Sequence, residues 1–190
     1  MPYNSLRPIN VALPNLTAEQ VHQVSGLVAE YITSQRTKYR PRALPLSTEQ
    51  RRAMARFFSP QVRESARLLV FDGERVANPD FYPMLRSLGF NNLPDQSTMG
   101  AITFVDTVVS HGPFNDGLLF HELVHVEQYR QLSIAKFSAL YVRGFLHSGG
   151  YDGIPLERNA YTLGERFEKY PAGRFSVENE VAGWIADDRF

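Results

Sequence analysis

The sequence predicts an α+β fold in which a small, mainly antiparallel sheet leads into a set of helices. Three observations carry this. Two early segments open on capping-box pairs and continue with apolar residues at helical spacing. Two runs in the middle, residues 67–71 and 101–109, are rich in apolar and β-branched residues, as strands are. From residue 115 onward the apolar positions return to the helical period.

Taken in order, Thr17 and Gln20 have the capping-box spacing, and Val21, Val24, Val28, Tyr31 and Ile32 follow on one helical face. Ser47 and Gln50 repeat the signal ahead of a second helix running to about Phe58, with Pro41 and Pro45 in the connection. Residues 67–71 read as a strand that turns at Asp72-Gly73. Asn78-Pro79 and Leu93-Pro94 bracket a less regular stretch with a short helix over 81–88. Residues 101–109 read as one further strand. Asn115 or Asp116 then caps a helix whose apolar positions include Leu119, Leu123 and Val126. Residues 134–145 read as helix, with Gly149-Gly150 as its stop. Helices over 155–169 and 176–185 close the chain. No repeat, low-complexity segment or linker interrupts it, so one domain over 1–190 is expected. Residues 1–60 form its helical lead-in, 61–110 its sheet region and 111–190 a helical region that carries the chemistry.

That chemistry begins at His121-Glu122-Leu123-Val124-His125. On a helix, residues four apart lie one turn above each other on the same face, so both imidazoles reach one metal ion. Glu122 is rotated about 100° from His121 and can act on a water held at the metal. Two histidines and a base at this spacing are the working half of a zinc hydrolase. A catalytic zinc takes three protein ligands and keeps one position open. Glu157, in Gly153-Ile154-Pro155-Leu156-Glu157-Arg158-Asn159-Ala160-Tyr161, is the candidate third ligand. Pro155 suits a first helical turn, which puts Glu157 near a helix N-terminus, where the macrodipole favours the ionised carboxylate a ligand must be. Ala160, three residues on, would let this helix pack closely on the first. Glu165 and His147 are the other candidates for the third ligand.

HELVH followed some thirty residues later by Glu-x-x-Ala resembles the gluzincins, the zincin group whose third ligand is a glutamate, and in particular the minimal gluzincin type. The likeness covers about residues 101–165 and is specific at its two motifs. The metzincin pattern does not fit, because Gln128 and Gln131 stand where it has Gly and His. The resemblance implies a zincin-like fold and a zinc metallopeptidase holding one Zn2+ per chain on His121, His125 and Glu157, with Glu122 as general base. Tyr161, His147, Tyr151 and His111 are the candidates for stabilising the oxyanion. Two other readings use the same residues: a non-catalytic zincin-like binding module with structural zinc, and a metal-dependent hydrolase of a non-peptide amide.

Composition sets wider bounds. The 190 residues are 43% hydrophobic, enough for a core. There is no cysteine, which removes disulfides, thiolate ligands and cysteine nucleophiles. The first residues lack the pattern of a signal peptide, and no apolar run reaches membrane-span length, so a cytoplasmic protein is expected, with signal-less export left open. A formal charge of zero argues against nucleic acid or a membrane as partner. A peptide or protein substrate is the expected partner. Between residues 36 and 56, Arg36, Lys38, Arg40, Arg42, Arg51, Arg52 and Arg56 face only Glu49. That stretch reads as a solvated helix face and linker, or as a docking surface for an acidic protein. Residues 1–45, with five prolines, either complete the core or cover the cleft as a latency segment.

Overall fold

In the computed structural model, which describes residues 14–190, a four-stranded sheet lies against two long helices, and sheet and helices together line a cavity. Helix α1 (Ala18–Tyr39) opens on the Thr17–Gln20 capping box, both bonds of which are formed. Strand β1 (Leu44–Pro45) is followed by α2 (Thr48–Met54), again on a complete box, Ser47–Gln50. A turn carries the buried Phe57 and Phe58 into α3 (Pro60–Ser65). Strand β2 (Arg67–Val70), helix α4 (Tyr82–Ser87) and strands β3 (Ala101–Phe104) and β4 (Thr107–Ser110) come next. Helices α5 (Asp116–Ser148), α6 (Pro155–Lys169) and α7 (Val177–Ala186) complete the order.

The sheet runs β1-β2-β4-β3. β1 pairs antiparallel with β2 and β3 antiparallel with β4, but β2 and β4 are parallel, so the sheet is mixed. Among the described residues β3 is therefore an edge strand. Residues 101–109, read as one strand, are instead a hairpin broken at Val105-Asp106. A two-residue hairpin loop needs positive φ, usually from Gly or Asn, and here Val105 supplies it at φ 64°. The loop is held from α1: Arg36 forks onto Asp106 through two bonds of 2.8 Å, and Arg40 adds a third contact at 2.9 Å.

One further expectation changes. The second helix stops at Met54 rather than near Phe58, and Pro60 starts the separate helix α3. The expected separation of residues 134–145 from the helix before them is found: α5 is two helices run together across a kink at Ser133, which stands at φ 66° and ψ 163°. Tyr129 and Phe137 stack across that break, ring centroids 3.8 Å apart.

Most of the basic stretch serves the chain itself. Arg42 pairs with Glu74, while Arg51 and Arg56 donate to the carbonyls of Leu46 and Ala172. Residues 1–13, part of the suggested latency segment, lie outside the described residues. The next part of that segment, α1, packs into the core through Val24, Ile32 and Tyr39. Among the described residues no helix is long and apolar enough to cross a membrane.

Candidate metal centre

Asn115, not Asp116, caps α5, its Oδ1 accepting from the Leu118 amide at 2.8 Å. Leu119, Leu123 and Val124 anchor the first turns of that helix in a core with Phe57, Phe58 and Phe167. This burial fixes the helix's rotation and turns His121 and His125 to the opposite side. Pro155 starts α6, which puts Glu157 in its first turn. Ala160 is fully buried in the same core as Leu123 and Val124. Gly144, further along α5, lies close against the start of α6: a Cβ there would stand 2.7 Å from Pro155 Cδ.

The result is a triangle of donor atoms. His121 Nε2 and His125 Nε2 are 3.1 Å apart, and Glu157 Oε2 lies 3.6 Å from the first and 3.3 Å from the second. Tetrahedral zinc with bonds of about 2.0–2.1 Å separates its ligand atoms by roughly 3.3 Å. The three observed sides bracket that value, so the residues fit a metal ion. Glu157 Oε2 points the same way, since it is buried and takes no hydrogen bond from the protein. Among the described residues this is the one group of histidines and acids gathered closely enough to hold a metal.

The cluster's electrostatics also call for a cation. Burial would push the His125 imidazole down, but the Glu157 carboxylate outweighs it and holds His125 up at about 9. Burial would raise Glu157, and the two imidazoles hold it below the usual carboxylate range instead.

Glu122 is 4% exposed and lies between two spaces. On one side is a cavity of about 110 Å³ with Val28, Tyr31 and Ile32 of α1, Thr103 and Phe104 of β3, and Phe137 among its walls. On the other, an open groove holds His121, Tyr161, Glu165 and Glu168. Thr103 Oγ1 donates to Glu122 Oε2 at 2.7 Å. Sequence reasoning had placed Thr103 only in a strand.

The remaining candidates separate clearly. Tyr161 lies against the His121 ring, centroids 4.6 Å apart, and Tyr151 borders both spaces. Burial first, then the Glu157 carboxylate, pushes both hydroxyls up, so they stay protonated donors. His147 is exposed at the end of α5, its Nδ1 on the carbonyl of Arg143, away from the cluster. His111 is engaged at both nitrogens, by the Val76 amide at 3.0 Å and the Met99 carbonyl at 2.6 Å. Glu165 borders the groove but is not one of the clustered donors.

Two glutamines went unread apart from their failure to match a metzincin. Gln128 Oε1 meets His125 Nδ1 at 2.9 Å, and Gln131 donates to the carbonyl of Glu178 in α7. Their partners on α6 and α7 lie far along the chain, so no local pattern announces them.

A scan against protein-family models matches no family, and searches of the curated proteins and of the solved structures find no match. The likeness to gluzincins therefore rests on the two sequence motifs alone.

Proposed function

We propose that the protein is a zinc-dependent hydrolase of gluzincin type that cleaves peptide bonds, with His121, His125 and Glu157 as metal ligands and Glu122 as general base. The observation that carries this reading is the convergence of His121 Nε2, His125 Nε2 and the unpartnered Glu157 Oε2, with the Glu122 carboxylate beside them at the mouth of a cavity. Two imidazoles and a carboxylate also describe iron(II) sites. The adjacent Glu122, buried yet ligating nothing in the triangle, is what favours zinc and hydrolysis.

Bound there, zinc supplies a Lewis acid that acidifies a water to near pKa 7 and polarises a carbonyl. The chain's own residues do the rest. Thr103 holds Oε2 of Glu122 and leaves Oε1 to take a proton from the attacking water and return it to the leaving amine. Tyr161 and Tyr151, kept protonated, are the donors for the developing oxyanion. β3 is an edge strand, and its residues Ala101, Ile102, Thr103 and Phe104 border the cavity. An extended peptide can add to it through backbone hydrogen bonds. The apolar and aromatic walls suit an apolar side chain next to the scissile bond.

The test is a peptide-library digest by zinc-loaded wild type and by Glu122→Gln. Cleavage beside apolar residues that disappears in the variant supports the reading. Cleavage that survives Glu122→Gln, or a zinc-loaded wild type that cleaves no peptide, overturns it.

A further inference from the structure

Gln128 is fully buried one helical turn beyond His125, on α5, and its amide faces three groups. Nε2 lies 3.0 Å from the carbonyl oxygen of Leu156 and 3.0 Å from Oδ1 of Asn159, both on α6, while Oε1 lies 2.9 Å from His125 Nδ1. The two ends of an amide are hard to tell apart by position, but they differ in hydrogen bonding. A backbone carbonyl can only accept. The end of Gln128 facing Leu156 is therefore the NH2, and the oxygen faces His125.

That orientation decides the histidine's tautomer. An amide oxygen cannot donate, so His125 Nδ1 must carry a proton, and the lone pair of the neutral ring falls on Nε2. Nε2 is the atom aimed at His121 and Glu157. The same assignment makes Asn159 Oδ1 the acceptor and leaves Asn159 Nδ2 without a partner, as observed. The flipped amide would put the NH2 of Gln128 against Nδ1, move the ring proton to Nε2 and close that nitrogen to a metal. It would also set Oε1 against the Leu156 carbonyl.

We propose that Gln128 is the positioning residue of the metal centre, holding His125 in its Nδ1–H form and at the same time setting the position of the α6 turn that carries Glu157. Leu156 immediately precedes Glu157 and Asn159 is two residues beyond it, so one side chain ties the second ligand to the backbone of the third. Partners of this kind, hydrogen-bonded to the outer nitrogen of a ligating histidine, typically change metal affinity by about 10–100-fold when removed. The proposal rests on the reading of His121, His125 and Glu157 as metal ligands.

The experiment measures zinc affinity of the full chain by chelator competition, and the His125 tautomer by nitrogen-15 NMR of the zinc-loaded protein. Three proteins are compared: wild type, Gln128→Leu and Gln128→Glu. Gln128→Glu keeps an acceptor for Nδ1–H but loses the NH2 that bridges to α6. Wild type should show a His125 Nδ1 proton protected from exchange and Nε2 ligation. Gln128→Leu, which loses both the acceptor for Nδ1–H and the tie to α6, should bind zinc about 10–100-fold more weakly. Gln128→Glu, which keeps the acceptor but loses the tie, should be weakened by less than Gln128→Leu. Nδ1 ligation in wild type overturns the proposal even if Gln128→Leu fails to fold. So does a Gln128→Leu affinity equal to wild type. Equal weakening in both variants overturns it as well, because it assigns Gln128 a bridging role between helices alone. Wild type that binds no zinc removes the metal reading itself, an outcome distinct from the other three.

Discussion

Gly144 and Pro155 meet so closely that the second part of α5 and the start of α6 have no room for a side chain between them: a Cβ on Gly144 would lie 2.7 Å from Pro155 Cδ and 3.3 Å from Ile154 Cγ2. The proline ring is rigid and cannot swing aside. Glu157 follows two residues after this contact, so the contact helps set where the proposed third ligand stands. Gly144→Ala should destabilise the fold by about 1–3 kcal/mol, as overpacking does, and should weaken zinc binding as α6 is pushed outward. Urea unfolding and zinc titration check the two effects; unchanged affinity would separate the helix contact from the ligand's placement.

Glu157→Ala leaves two imidazoles and an empty corner in the triangle. Wild type should carry about one zinc per chain, given a donor set of this type, and the variant should lose it on dialysis. Elemental analysis reading zinc, iron and other divalent metals together settles both occupancy and identity. Metal retained by Glu157→Ala would move the third ligand elsewhere.

Glu122→Gln should keep its zinc and lose hydrolysis by about 10²–10⁴-fold, the usual worth of a positioned base. Thr103→Val should cost less, about tenfold, since it removes one hydrogen bond to Oε2 and leaves the base itself in place. Steady-state kinetics on one peptide compares them. A Thr103→Val rate equal to wild type would show that the hydroxyl does not orient Glu122.

Asp106 supplies a pH dependence independent of the metal. Burial would raise its carboxyl, but the paired Arg36 and Arg40 hold it below the ordinary range. A lowered folded value means the stabilisation is fully present above the unfolded value of about 3.9 and is lost as pH falls through the folded one. Asp106→Asn should therefore lose about 1 kcal/mol at pH 7, a figure reduced for arginines that are one-third exposed. The gap from wild type should begin to narrow below about pH 4 and close as pH falls through the folded value. Paired urea titrations at pH 7 and pH 3 measure it, and a gap at pH 3 as large as at pH 7 would contradict this account.

What was legible in the sequence was local. The Thr17–Gln20 and Ser47–Gln50 boxes, the Pro155 start and the HELVH spacing each depend on residues within a turn of one another, and each forms as read. The hairpin at Val105 was hidden because a β-branched residue occupies a position where Gly or Asn gives the usual signal. Its conformation is held by Arg36, seventy residues away. The parallel pairing of β2 with β4 was hidden for the same reason, since strand neighbours are chosen by packing and not by the strand's own residues. At the candidate metal centre the residues that cluster, His121, His125 and Glu157, could be picked out from their motifs. Gln128 could not, because its meaning depends on Leu156 and Asn159, which only the folded chain brings to it.

The wall that α1 gives the cavity ties two properties together that an evolving lineage would otherwise vary separately. Val28, Tyr31 and Ile32 both border the space beside Glu122 and pack with the core. A change such as Ile32→Val widens that space and also removes a buried methylene, at about 0.5–1.5 kcal/mol. Descendants can alter what the cavity admits only in small, volume-conserving steps or with repair elsewhere. Glu165 and Glu168, exposed on the groove side, carry no such constraint and are free to diverge first.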